Sequence, residues 1–305
     1  MSVPVLSEED IQQFIDWGFV SLPQAFPSSI AEECRRIIDQ QLSCHKVFID
    51  DPSSWPKRVG LTDVFVESDG FPWNQVFTPR LRHAVDELCG KNRWDMFGCG
   101  WWVVSFPSSS PSMDFEVEGH WHIDGNSYIH FPHSKEIGLV MIMLFSDILP
   151  NGGGTSVACG SHNEVSRLII KSGIHGVYSK DIVPQIPFDF EVVELTGYSG
   201  DVILMHPHLL HARSKNNGLL GSSSIRYICH PAVPLKQPMS FNKPLAEMSV
   251  VEKCIYDVAK THELHLVTPE ECHRAPENQS VSLPLEMEQV LGISNFGKNK
   301  RYRTQ

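Results

Sequence analysis

Apolar residues in the first ninety positions recur at three- and four-residue intervals. Ile11, Phe14 and Ile15 form one stripe, opened by a capping-box-like Ser7 with Asp10 and closed by Gly18, which predicts a helix. Phe19 to Leu22 then reads as a short strand. A second helix is predicted from about Ser29, with Ile30, Cys34, Ile37, Ile38 and Leu42 on one face. Thr78 as cap and Pro79 in the first helical position begin a third, ending at Gly90. Residues 45 to 75, with Trp55, Pro56, Pro72 and Trp73, lack this period and read as an ordered loop region.

From Gly98 the pattern changes. Trp101 to Phe106, Ile137 to Phe145, Phe190 to Leu195, Asp201 to Met205 and Ile225 to Cys229 are short runs rich in β-branched or aromatic residues. Turn-forming clusters separate them, notably Pro150 to Gly154 and Thr196 to Gly200. Short strands between turn signals predict a mainly β protein with flanking helices (α+β), with a sandwich or jelly-roll core. A last helix is expected over Ser249 to Lys260, where Val250, Cys254 and Val258 keep helical spacing, and beyond Pro269 the chain turns polar and irregular. Residues 1 to 97 are therefore read as a helical region bracing the core, 98 to 235 as the β core, and 236 to 305 as a C-terminal helix and tail of the same domain.

Composition narrows the function classes. The 305 residues are 41% hydrophobic and 20% charged, ordinary for a chain with a sizeable core, and the formal net charge is −11. An acidic surface repels phosphate backbones, so nucleic acid is not an expected partner. The one basic cluster, Lys298, Lys300, Arg301 and Arg303, reads as a solvated tail. Eight cysteines occur without a C-x-x-C pair, the opening residues show no signal-peptide core, and no run is apolar enough to span a membrane. Reduced, mostly buried thiols in the cytoplasm are the expectation.

The candidate chemistry sits in Gly119-His120-Trp121-His122-Ile123-Asp124-Gly125. Strand residues two apart project from one face, so His122 and Asp124 can present an imidazole and a carboxylate to one ion. A third ligand must come from elsewhere, and the run from Asp201 offers His206, His208 and His211. His206 and His208 share a face by alternation, whereas His211 needs a bend, which Pro207 can supply. Two histidines and a carboxylate on one face of an octahedron suit Fe(II) that must take a chelating cosubstrate and dioxygen together. His120 with His122 forms a competing H-x-H pair, lacking the carboxylate. His162, in a Gly-Ser-His turn, is expected to hydrogen-bond the backbone. Trp73, Trp101, Trp102 and Trp121 are expected in the core, and residues 107 to 118 are a candidate lid leading into the metal strand.

The order of these segments resembles the phytanoyl-CoA dioxygenase family of Fe(II)/2-oxoglutarate oxygenases. The likeness is carried by His122-Ile-Asp124, by Phe145-Ser-Asp-Ile-Leu-Pro-Asn-Gly-Gly-Gly-Thr-Ser-Val-Ala-Cys-Gly-Ser-His162, by Gly200-Asp201-Val-Ile-Leu-Met-His-Pro and by Leu209-Leu210-His211. The opening Phe14-Ile-Asp-Trp-Gly-Phe-Val is also similar. The resemblance implies a double-stranded β-helix core of cupin-like jelly-roll type, Fe(2+) held by His122, Asp124 and His211, and a 2-oxoglutarate cosubstrate whose far carboxylate is bound by Arg226. Guanidinium matches carboxylate bidentately, which is the physical reason for an arginine there, and the competing role for Arg226 is a structural ion pair. The family's small Gly-Ser pair after the distal histidine is replaced by Ala212-Arg213, so Ser214 is the candidate hydroxyl and Arg213 a second candidate arginine. The activity implied is hydroxylation of a small organic molecule, lipid-like or a secondary metabolite, with dioxygen. A cupin-type enzyme using His120, His122 and His211 without 2-oxoglutarate, and a non-catalytic metabolite binder, are the competing readings.

Overall fold

A computed structural model describes residues 4–61, 70–95, 102–218 and 222–273. Trp101, the basic terminal run and residues 219–221 lie outside the described residues. In chain order the helices are α1 (Glu8–Trp17), α2 (Ser28–Cys44), α3 (Pro79–Cys89), α4 (Ser161–Lys171), α5 (Val250–Thr261) and α6 (Pro269–His273). The strands are β1 (Phe19–Leu22), β2 (Arg58–Leu61), β3 (Trp102–Ser105), β4 (Ile129–His130), β5 (Leu139–Leu144), β6 (Thr155–Ala158), β7 (Val177–Tyr178), β8 (Val192–Leu195), β9 (Val202–Met205), β10 (His211–Arg213), β11 (Arg226–Cys229) and β12 (Ala232–Val233).

The local signals act as their chemistry requires. Ser7 and Asp10 close a capping box at α1, and Gly18 ends it in the left-handed region at φ 85°. The Thr78 side chain accepts from the Leu81 amide 3.2 Å away, with Pro79 beginning α3. Ser249 and Glu252 form a second capping box at α5.

A seven-stranded antiparallel sheet runs β1-β9-β5-β11-β3-β2, with β12 paired to β5, and a three-stranded sheet runs β10-β6-β8. Alternation along the large sheet sorts its side chains. Trp102, Met141, Met143, Leu204 and Tyr227 point outward into the main core with the helices, where Trp102 meets Trp73 and Phe145 at ring separations of 4.9 and 4.0 Å. Val103, Val140, Ile142, Ile203 and Ile228 point inward and pack with Val157 and Leu195 of the small sheet. The molecule is thus mainly β, two facing antiparallel sheets with α1, α2, α3 and α5 on the outer side of the larger one and α4 against the smaller. Burying two faces of one sheet explains why its strands read as nearly continuous apolar runs.

Among the departures from the sequence reading, two have a plain local cause. The region expected as loop contains β2, whose Arg58 to Leu61 pair with Ser105 to Trp102 at the sheet edge. The Gly-Ser-His segment read as a turn begins α4: Gly160 takes φ 76° at its cap, and Val165, Ile169 and Ile170 are buried at helical spacing. Among the described residues, no helix is long and apolar enough to cross a membrane, and seven cysteines form no disulfide.

α5 is fastened by one carboxylate. Glu252 is fully buried, pairs with both terminal nitrogens of Arg93 and with Lys243 Nζ at 2.8 Å, and accepts from the amides of Ser240 and Ser249 at 3.0 and 2.8 Å. Burial works to raise its carboxyl pKa, but Arg93 and Lys243 hold it down at about 2. Glu252→Ala strands two cations, an error that costs about 3–5 kcal/mol in buried pairs. The melting temperature is expected to fall by roughly 10 °C, and calorimetry showing no shift contradicts this role.

Candidate metal centre

The metal strand is oriented by the residue between its candidate ligands. Ile123 is fully buried among Val165, Ile169 and Leu210, on the α4 side. Strand alternation then turns His122 and Asp124 the other way. The same rule acts on β10, where buried Leu210 and Ala212 flank His211. His122 and His211 are direct cross-strand partners, exchanging amide–carbonyl bonds of 3.1 and 3.0 Å, and their rings lie 4.4 Å apart. Just upstream, the amides of Glu118 and Gly119 both donate to the Arg213 carbonyl, a local bulge. A side chain at Gly119 would bring its Cβ to 2.8 Å from the Arg213 amide nitrogen, so glycine is required for this approach.

Each imidazole has its tautomer set by the backbone. His122 Nδ1 lies 2.9 Å from the His120 carbonyl, and His211 Nδ1 lies 3.0 Å from the Leu209 carbonyl. A carbonyl can only accept, so both Nδ1 atoms carry the proton and both Nε2 atoms offer a lone pair, the arrangement found behind metal-ligating histidines. Those two nitrogens face Asp124 Oδ1 at 4.0 and 3.7 Å. Ligands about 2.1 Å from one ion and at right angles stand roughly 3 Å apart, so the set is slightly open and reaches a shared ion through small side-chain rotations. Among the described residues, His122, Asp124 and His211 are the group whose donor atoms lie within 4.8 Å of one another. His211 Nε2 is buried with no hydrogen-bond partner, an orphaned acceptor that a cation would satisfy.

The electrostatics agree. Burial works to raise the Asp124 carboxyl pKa, but His230, His211 and His122 around it hold it well below the usual carboxylate range. His211 is raised because Asp124 outweighs burial, whereas burial and the neighbouring His211 lower His122. A carboxylate kept ionised beside two basic nitrogens is what a divalent ion needs.

The competing histidines lie elsewhere. His206 and His208 stop in the turn after β9 and pack with His162, at ring separations of 4.9 Å (His162–His206) and 5.1 Å (His206–His208). His162 bonds the Ile15 carbonyl at 3.1 Å, the structural role expected of it. His120 is exposed and offers its carbonyl, not its ring, to the site. Trp121 is partly buried against Phe188 at 4.8 Å, on the packed side of the strand.

Arg226 stands in register with Ser105, so both face inward, and its Nη2 donates to Ser105 Oγ at 3.0 Å. It is 3% exposed, and its Nε has no partner. The structural ion pair weighed against it is not found: among the described residues no carboxylate lies within salt-bridge distance. Burial, with Arg58 and Arg213 nearby, pulls its pKa down to about 9, opposed by Glu194. A buried guanidinium of this kind calls for an anion. Arg213 Nε sits 3.5 Å from Glu118, and Ser214 Oγ is 2.6 Å from Ser156 Oγ. A cavity of about 400 Å³ opens at this end, lined by Trp55, Ser105, Phe106, Arg213, Ser214 and Asn216. The candidate lid is tied to it, since the Ser108 amide donates to the Asn216 carbonyl at 2.7 Å.

His230 was not anticipated. Its Nε2 lies 3.3 Å from Asp124 Oδ2, and its ring stands edge-on to His211 at 5.4 Å. The signal was available: on a strand, a residue four beyond Arg226 shares its face.

The sequence matches no protein-family model and no curated protein. Solved structures are similar at the level of the fold. HygX from Streptomyces hygroscopicus, with nickel and 2-oxoglutarate bound, is 17% identical over 76% of this chain and 88% of its own, with a TM-score of 0.48. EctD from S. alaskensis in its apoform is 17% identical over 82% and 85%, at 0.47. EvdO2 from Micromonospora carbonacea var. aurantiaca is 14% identical over 82% of this chain and 100% of its own, at 0.49.

Proposed function

We propose that the chain is an Fe(II)- and 2-oxoglutarate-dependent dioxygenase that hydroxylates a small organic molecule, releasing succinate and carbon dioxide. One observation carries the reading: two imidazole lone pairs, each fixed by a backbone bond on the opposite ring nitrogen, meet one oxygen of one carboxylate. Three protein donors leave the rest of an octahedral ion for a chelating keto acid and dioxygen. Dioxygen is the oxidant: at a bound iron one of its oxygen atoms would go to the keto acid, which loses carbon dioxide to become succinate, and the other to the hydroxylated C–H bond.

The protein's own residues bind and orient. His122, Asp124 and His211 hold the ion. Arg226, braced by Ser105, takes the far carboxylate of 2-oxoglutarate through charge-assisted hydrogen bonds. Ser214, whose hydroxyl is shared with Ser156, lines the adjoining cavity, and that cavity admits the organic substrate beside Trp55 and Phe106. Cysteines outside disulfides suit a reducing, cytoplasmic setting.

Arg226→Met tests the cosubstrate assignment. Hydrogen bonds to charged groups contribute about 1.5–3 kcal/mol, so 2-oxoglutarate binding is expected to weaken roughly 10- to 150-fold. Divalent-metal affinity stays the same, and the melting temperature holds or rises, because a buried charge has been removed. Calorimetric titration of 2-oxoglutarate into Co(II)-loaded protein reads the effect. Unchanged affinity returns Arg226 to a structural role.

A further inference from the structure

The inward face of β11 continues past the end of the strand. Arg226, Ile228 and His230 alternate with Tyr227 and Cys229, which pack outward in the main core, so His230 is delivered to the same interior as Arg226. Its side chain is 9% exposed, and Nε2 is buried. Asp124 stands between the two ends of this arrangement with its oxygens divided. Oδ1 faces His122 and His211 Nε2 at 4.0 and 3.7 Å, while Oδ2 faces His230 Nε2 at 3.3 Å. That last approach is within reach but poorly aligned, and Nε2 has no hydrogen-bond partner, so His230 is a polar group aimed at the carboxylate and not yet satisfied by it.

His230 is not a fourth member of the donor set. Among the described residues the mutually close group stops at His122, Asp124 and His211. A proton on Nε2 is the arrangement that suits a neighbouring carboxylate oxygen, since a lone pair there would face another lone pair.

We propose that His230 is a positioning residue: its Nε2–H engages Asp124 Oδ2, reserving Oδ1 for the metal and preventing the carboxylate from chelating through both oxygens. This rests on the metal-site reading given above. Its consequence is specific. A carboxylate free to chelate takes one more coordination position, and a centre that must accept a bidentate keto acid and dioxygen needs three. Hydrogen-bond partners behind metal ligands typically change metal affinity 10- to 100-fold. The side chain also packs against His211, so the test must separate the donor from the ring.

His230→Phe keeps an aromatic ring and removes the donor, and His230→Gln restores a donor at comparable reach. Co(II) titration of the full-length protein reads affinity, and the visible ligand-field absorption reads coordination number. Wild type is expected to bind one Co(II) per chain. H230F is expected to bind 10- to 100-fold more weakly with an altered spectrum, and H230Q to return within a few-fold of wild type with the wild-type spectrum. His230→Leu replaces H230F in the comparison if the phenylalanine variant does not fold. Equal affinity and spectrum in wild type and H230F overturn the proposal and leave the triad standing. Equal losses in H230F and H230Q also overturn it, assigning His230 to packing. Failure of wild type to bind Co(II) overturns both the proposal and the metal-site reading.

Discussion

Asp124→Ala is expected to abolish stoichiometric Fe(II) or Co(II) binding and, with it, 2-oxoglutarate-dependent succinate formation. The reason is local. Asp124 is the one carboxylate facing the His122 and His211 Nε2 atoms, and it supplies the only negative charge in the donor group. Taking away the anionic partner of a largely enclosed cation costs about 3–5 kcal/mol, and each 1.4 kcal/mol is tenfold, so metal affinity should fall by at least roughly 100-fold. Asp124→Asn keeps the shape and loses the charge, and it should fail almost as completely. Equilibrium dialysis separates loss of metal from loss of fold when paired with circular dichroism. Retained metal binding with retained succinate release in the alanine variant removes the triad assignment.

A second large effect is expected in acid. His162, in the first turn of α4, is buried with His206 and His208, each with its pKa lowered mainly by burial: His162 to about 4, His208 to about 3, and His206 well below its ordinary value. The unfolded chain protonates these rings near pH 6.5. Between that pH and the lowered values the unfolded state binds more protons, so stability is fully present above about 6.5 and is lost as pH falls. One unit of pKa difference is worth 1.36 kcal/mol, so His162 and His208 each withdraw about 3 kcal/mol between pH 6.5 and 4. Against a typical total of about 5–15 kcal/mol, two such losses are enough to bring the fold near its midpoint. Glu252 and Asp124, whose pKa values are depressed, lose their contribution at still lower pH and add in the same direction. Denaturant unfolding at stepped pH should show the slope directly, and His208→Gln should reduce it by about 1.4 kcal/mol per pH unit. Stability that stays level from pH 7 to 4.5 contradicts this account.

How much of this could be read from residues alone depends on the range of the interaction. Caps and stripes are local, so Ser7, and Thr78 with Pro79, announced their helices, and the spacing of Val250, Cys254 and Val258 announced α5. Strands buried on both faces announced themselves as apolar runs. β2 did not, because it is an edge strand paired on one side only, in a stretch dense in proline and tryptophan. α4 was hidden behind Gly160, whose left-handed conformation reads equally well as a turn or as a helix cap.

The site was legible in a different way. His122 and Asp124 followed from alternation, since two residues on one strand share a face whatever surrounds them. His211 did not, because its pairing with His122 crosses 89 positions and no local spacing prefers it over His206 or His208. The turn at Pro207 ends their strand before His211 begins the next, and only the folded chain shows this. His230 lay within reach of the same alternation rule, counted from Arg226. The metal strand is likewise placed by its intervening Ile123, whose apolar side chain fixes the direction of the two polar ones.

The most direct test of the central claim is an anaerobic titration of the purified protein with Fe(II) and 2-oxoglutarate, following the visible charge-transfer absorption of a keto acid chelated to ferrous iron. The account predicts a band that saturates at one iron and one 2-oxoglutarate per chain and disappears in His211→Ala. A folded protein that gives no such band at saturating iron and keto acid contradicts it.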